Sequence, residues 1–364
     1  MTDRNKVYSK VLKTLKSIVK LHHPGHVVTL AMMVSGIVLS KKAQLSEMSS
    51  EIPSAAKDKS LEMRLRRFVK HERLDADAIF LPFAQQVLQA LAHTPLVLVM
   101  DASQVGRGCM VLMVGVVYQK RALPLVWLVF RGKKGHTTAA RHIEVLKKLK
   151  NLLPEAADVV LLGDAEYDTT EMQQWVQENT LWRYVLRTAP QILVHAPAGF
   201  APLAAMPLRP KQVIQYPQVG FTQAGTVIVN VVGWWGSRHE APLYLVSNLP
   251  DKFETCRYYR QRYRIETFFS DQKSRGFHIH KSHLSEPARV SRLLVAACLA
   301  YLWMILQGLQ VITQKWTGLI DRTDRRDKSV FRLGLDWLRH CLKRNVAFEP
   351  LFWFQIPPEL VNVR

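Results

Sequence analysis

The chain has 364 residues, 48% of them hydrophobic, which is the apolar content of a globular protein long enough for two or three cores. Its 50 Lys and Arg against 29 Asp and Glu leave a formal charge of +21. A surplus that large repels itself unless a polyanion neutralises it, so nucleic acid is the first partner to consider and an anionic membrane surface the second. Cys109, Cys256, Cys298 and Cys341 are far apart, which argues against a zinc ribbon or a disulfide framework and suits a reducing, cytoplasmic compartment. The Lys-rich, polar opening residues do not read as a signal peptide.

Residues 4–21 read as an amphipathic helix, with Lys6, Lys10, Lys13 and Lys20 on one side and Tyr8, Val11, Leu15 and Ile18 on the other. His22-His23-Pro24 ends it; with no third ligand nearby, the histidines suit a cap or the surface better than a metal. Helices are predicted over Val27–Leu39 and Ser60–Arg73, the second turning Arg64, Arg66, Arg67 and Lys70 outward. A further helix opens at Asp75 and Asp77 and runs through Pro82 to about Ala92. Short helices with a basic face suit a DNA-contacting unit over residues 1–93, although an ordinary bundle with a solvated face has the same pattern.

The character then changes. Leu96 to Met100 is an unbroken apolar run ending at Asp101, the mark of a strand buried on both faces. Strands follow at Cys109–Tyr118 and Leu123–Phe130, then the basic loop Arg131-Gly132-Lys133-Lys134-Gly135-His136. Thr137–Leu153 reads as a helix, Val159–Gly163 as a strand ending at Asp164, Thr169–Asn179 as a helix and Trp182–Arg187 as a strand. Three strands, a helix, a strand, a helix and a strand is the order of an RNase H-like core, a mixed sheet flanked by helices. In that order the first and fourth strands are neighbours, so Asp101 and Asp164 would meet, though each alone could simply cap a turn.

Residues 188–242 hold seven of the 18 Pro residues and β-like runs at Gln212–Gln215 and Thr226–Val232, and read as a β-rich insertion. Trp234 and Trp235, flanked by Gly233 and Gly236, suit either stacking on a flipped base or core packing. Tyr244–Ser247 returns to the core. Tyr258 to Lys273 contains no Pro or Gly and is predicted to run as one helix, with Tyr259, Arg262, Glu266 and Lys273 along one stripe and Ile265, Phe268 and Phe269 on the adjoining face. His278, His280 and His283 follow in a basic setting that suits surface or phosphate contact better than a metal. The apolar run Leu293–Leu306 is about 14 residues, short of the roughly 20 a membrane span needs, and reads as a core helix. Asp321–Lys328 is a polar loop, Val330–Leu342 an amphipathic helix, and the tail contains Pro. The domain boundaries are therefore 1–93, 94–187, 188–242, 243–312 and 313–364. No Walker A loop, Gly-x-Gly-x-x-Gly turn or Gly-x-Ser-x-Gly elbow is present, so no nucleotide cofactor is expected.

Asp101, Asp164 and Glu266 at one sheet edge would repel one another unless a hard cation joined them, and oxygen ligands without Cys or His favour Mg²⁺, with Mn²⁺ as a substitute. Two ions about 4 Å apart suit in-line phosphoryl displacement. Arg262 and Lys273 would neutralise phosphate charge, and Tyr259 would bond a phosphate or stack on a sugar or base.

The spacing Tyr259-x2-Arg262-x3-Glu266-x6-Lys273 resembles the Tyr-Arg-Glu-Lys motif of bacterial insertion-sequence transposases of the DDE class, in the large group named after insertion sequence four. Asp101 in Val-Met-Asp-Ala-Ser and Asp164 in Leu-Gly-Asp-Ala-Glu-Tyr match the first two acids, with Tyr167 as the aromatic after the second. The resemblance covers about residues 95–310. It implies an RNase H-like catalytic core, Asp101, Asp164 and Glu266 as catalytic metal ligands, and phosphate contacts from Tyr259, Arg262 and Lys273; Lys133 and Lys134 of the basic loop are further candidates for phosphate contact. It also implies cut-and-paste transposition of double-stranded DNA, through binding of terminal inverted repeats, nicking, a hairpin intermediate and strand transfer into target DNA. Pairing of two ends implies a homodimer on DNA, with no membrane partner. A repressor relative without catalysis and a structure-specific nuclease on the same core are the alternatives.

Overall fold

The computed structural model describes residues 2–350, except 22, 93–94, 155, 197–198, 238, 323–324 and 326. His22, the Pro-containing tail and part of the 321–328 loop lie outside the described residues. Five helices come first: α1 (Asp3–Ile18), α2 (Pro24–Ser40), α3 (Leu45–Ser49), α4 (Asp58–Lys70) and α5 (Ala76–Leu91). The apolar stripe of α1 is buried through Val7, Val11 and Leu15, as its periodicity predicts. Helix α3 was not anticipated; at five residues it is too short to show a period.

The central sheet begins with β1 (Leu96–Gly106), β2 (Cys109–Tyr118) and β3 (Arg121–Arg131), an antiparallel meander. Helix α6 (Ala139–Lys150), β4 (Val159–Gly163), α7 (Thr170–Asn179) and β5 (Arg183–Thr188) follow. Strand β4 pairs parallel to β1 on one side and β5 on the other, so this part of the sheet runs 3-2-1-4-5. The near-continuous apolar composition of β2 and β4 reflects burial on both faces.

Residues 188–242 supply β6 (Leu193–Ala196), β7 (Gly199–Pro202), β8 (Val213–Phe221) and β9 (Val227–Trp234). They do not form a sheet of their own. The next strand, β10 (Leu243–Ser247), pairs antiparallel with both β5 and β9, so the ten strands of the described residues share one sheet in the order 3-2-1-4-5-10-9-8-6-7.

The predicted single helix over Tyr258–Lys273 is two helices, α8 (Lys252–Tyr259) and α9 (Arg264–Gln272). Between them the backbone tightens into i→i+3 bonds, from Gln261 N to Tyr258 O and from Arg262 N to Tyr259 O. The sheet explains the break. Helix α8 packs on β4, β5, β8 and β9, whereas α9 packs on β1, β2 and β3. A twisted sheet turns between those two strand groups, and a straight helix cannot lie on both.

Helix α10 (Pro287–Thr313) is also longer than its apolar run. Gln307 does not end it, because the side chain is buried and donates to Glu349 O at 2.8 Å. Gly308 lets the start of α11 (Val330–Arg344) approach so closely that an added Cβ would stand 1.9 Å from Val330 O. The helix is long and apolar enough to cross a membrane, but 89% of its most apolar window is buried within the protein, as a core helix is. Buried Arg292 ties it to the N-terminal helices, donating to Val69 O, Glu72 O and Leu74 O.

Candidate active site

Strand register brings the first two acids together. Along β1 and β4, Leu96 faces Val159 and Val99 faces Leu162; two positions further on stand Asp101 and Asp164. The two carboxylates adopt the same local pose. Asp101 Oδ1 accepts from Ala102 N and Asp164 Oδ1 from Ala165 N, each at 2.8 Å. Strand β1 does not stop at Asp101. It parts from β4 after Val99 but continues beside β2 to Gly106, while Asp164 caps the short 3₁₀ turn Ala165–Tyr167. The parting of these strands opens a cleft of about 580 Å³, into which Asp101, Asp164, Glu166 and Glu266 all face.

Four carboxylates in one cleft need cations, and two guanidiniums are present. Arg262 Nη1 is 3.5 Å from Asp164 Oδ2, and its Nη2 binds Glu266 Oε1. Arg187 Nη1 reaches Asp164 Oδ1 at 3.8 Å from β5. Burial opposes the Arg262 charge, but the Tyr259 phenol and the Asp164 and Glu266 carboxylates outweigh it and hold its pKa raised. Burial pushes the Asp101 carboxyl up to about 6 against the pull of Arg262 and Lys134, and the neighbouring Asp164 charge adds to the rise. Tyr259 is buried at the end of α8 and pushed up to about 12, chiefly by that burial.

Lys273 is not on the helical stripe; it caps α9 outside helical geometry. It does not itself line the cleft but donates from Nζ to the lining Ser103 Oγ at 2.6 Å. Its pKa is lowered by burial and then by Lys134, with Asp101 opposing. Lys134 lines the cleft from the exposed 131–136 loop, whereas Lys133 is exposed and does not line it. Trp234 is buried in β9, with the Arg260 guanidinium 5.1 Å over its ring and His239 edge-on at 4.5 Å. Trp235 is half-buried and donates to His239 O at 3.1 Å. Neither tryptophan lines the cleft.

Ser103, Glu166 and Arg187 are cleft residues that pattern reading missed. Two signals carry them. Ser103 is two residues past Asp101 and so shares its face of the strand. Gly163 pairs with Leu186, which sets Arg187 beside Asp164. Glu166 Oε1 also accepts from Thr137 N at 3.0 Å, fastening the basic loop to the turn after Asp164.

A divalent ion fits the chemistry of this donor set, which is all oxygen and where the Arg262 guanidinium already supplies positive charge between two carboxylates. Among the described residues, no three His, Cys, Asp or Glu side chains surround a point able to hold an ion, and Glu266 is turned to Arg262.

A solved structure described as "Cryo-EM structure of piggyBac transposase synaptic complex with hairpin DNA (SNHP)" is similar over 98% of this chain and 83% of that chain, at 10% identity and a TM-score of 0.44. No curated protein matches the chain. Residues 70–303, which hold all ten strands, the cleft and the acids Asp101, Asp164 and Glu266, match the family described as the transposase DDE domain. The chain belongs to that family.

Proposed function

We propose that this chain is a cut-and-paste DNA transposase of a bacterial insertion sequence, in the group named after insertion sequence four. The observation that carries the reading is the juxtaposition of Asp101 and Asp164 across β1 and β4, with Glu266 and Arg262 reaching the same cleft from the far side of the chain. The 3-2-1-4-5 strand order supports an RNase H-like core, and the basic face of α4 supports DNA contact by the N-terminal helices. The sheet continuity of β6–β9 supports treating 188–242 as an extension of the catalytic unit.

Asp101, Asp164 and Glu266 would hold Mg²⁺, with Mn²⁺ as a substitute and two ions per site. Bound there, the metal supplies the charge that activates an attacking hydroxyl and stabilises the leaving oxygen. The chain's own groups do the rest. Arg262 passes from its carboxylates to the phosphate, Lys273 holds the backbone beside it, and Tyr259 bonds or packs against the same strand. Lys133 and Lys134 steer the duplex from the loop above. Nicking of the terminal inverted repeats, a hairpin intermediate, strand transfer and a homodimer on DNA complete the reading. Trp235, half-buried, is the better placed of the two tryptophans to meet a flipped base; Trp234 is buried and already has Arg260 over its ring.

The test is incubation with the element's own ends, a target plasmid and Mg²⁺. Joined products that vanish with chelator and with Asp101→Asn are expected. Cleavage without joining would make the chain a nuclease, and binding alone a repressor.

A further inference from the structure

We propose that the turn at residues 278–283 is a DNA-backbone contact that carries the duplex out of the cleft toward the N-terminal helices. The proposal rests on the transposase reading and places DNA on a surface that reading leaves unassigned. The turn is held rigidly from below. Phe277 and Ile279 are fully buried, and Leu284 nearly so. Phe277 O accepts from Ala43 N at 2.6 Å and Leu284 O from Arg107 N at 2.8 Å, so the turn is tied both to the α2–α3 link and to the end of β1. What it presents outward is His280, Lys281 and His283.

Three further observations point to an anion. His278 and His283 both take left-handed backbone, at φ 51° and 59°, a conformation that non-glycine residues keep where surrounding structure and function demand it. His278 Nδ1 is shielded from solvent and has no partner among the described residues. The neighbours are cationic: His278 and His280 lie 6.1 Å apart between centroids, and after burial Lys281 and Lys42 lower the His278 pKa, while His278, Lys273 and Lys281 lower that of His280. Lys42 has a counter-ion in Glu47 at 3.0 Å, but among the described residues no carboxylate is one of the groups that shift either imidazole. Lys134, Lys273, Lys281 and Lys42 thus form a basic series around the two imidazoles, from the cleft to the α2–α3 link. Crowded cations of this kind are favourable only against a polyanion, and phosphates spaced along a duplex supply one.

The test is the salt dependence of binding by the full-length protein to a fluorescein-labelled mixed-sequence duplex, followed by anisotropy. Each phosphate contact contributes about 0.9 to the slope of log K against log salt, so Lys281→Gln is expected to lower the slope by about one. Lys150→Gln, on the exposed end of α6, is expected to leave it unchanged. Lys281→Glu is expected to weaken binding further than Lys281→Gln at equal thermal stability. An unchanged slope for both Lys281 variants overturns this contact and leaves the transposase reading intact. Absence of salt-dependent DNA binding by the unaltered chain overturns that reading itself.

Discussion

Lys273 Nζ donates to Ser103 Oγ at 2.6 Å, two positions along β1 from Asp101. The ammonium sits at the end of α9, so this bond fixes a helix terminus to the strand edge that carries the first acid. Removing the hydroxyl frees a long side chain that must then be ordered by the substrate. Ser103→Ala is expected to slow strand cleavage by about threefold to tenfold and Lys273→Ala by about 10²-fold. The double variant is expected to be no slower than Lys273→Ala alone; full additivity in a double-mutant cycle would show that the two groups act separately.

Arg262 spans Asp164 and Glu266 with two different nitrogens. A lysine carries the same charge but one donor point, and cannot bridge both. Arg262→Lys is expected to cost about 10²-fold in cleavage rate while leaving the melting temperature within a few degrees. Retention of full rate would remove the bridging role.

Asp271 lies on the opposite face of α9, nearly inaccessible, and accepts from Arg121 at 2.8 Å. Burial pushes its carboxyl up to about 6, against the pull of Arg121 and Arg275. A folded-state value above the unfolded one means that the folded chain holds this proton more tightly. Its contribution to stability is therefore present at low pH and lost as pH rises through about 4 to 6. Asp271→Asn keeps an oxygen for Arg121 and does not titrate. Relative to the unaltered chain, the variant is expected to gain about 2 kcal/mol on going from pH 4.5 to pH 7, read from urea midpoints at both. A difference that does not change with pH contradicts the raised value.

The two tryptophans separate by burial. Trp234→Ala removes a buried ring and is expected to cost about 3–5 kcal/mol of stability, with DNA effects that follow unfolding. Trp235→Ala is expected to cost about 1 kcal/mol, so that any loss at the hairpin stage can be read on a folded protein. Equal stability losses would mean that both rings are core.

The apolar runs ending at Asp101 and Asp164 made the heart of the fold readable, because strands buried on both faces have few other sequences open to them. Their pairing was readable too, since parallel neighbours in this element order leave little choice of register. The break between Tyr259 and Arg264 was not. Nothing in Tyr-Arg-Gln-Arg-Tyr weakens a helix, and the bend comes from the twist of a sheet whose first strand begins far back in the chain at Leu96. For the same reason the helical spacing does not predict where Lys273 lies. It arrives through a cap geometry and a bond to Ser103, 170 positions away in the chain. The prolines mark residues 188–242 as an insertion, and β10 binds them into the sheet by pairing on both of its edges, which no local pattern records.

That shared strand limits how the protein can be cut down. Splicing out residues 188–242 would strip β9 from β10 and leave a row of unpaired amides and carbonyls along the far edge of β10, an open template for pairing with another molecule. A minimal version of this enzyme would have to end its sheet where the intact chain does, at β3 on one side and β7 on the other. In the intact chain β9 covers that edge of β10, and the sheet's open edge is moved outward to β7.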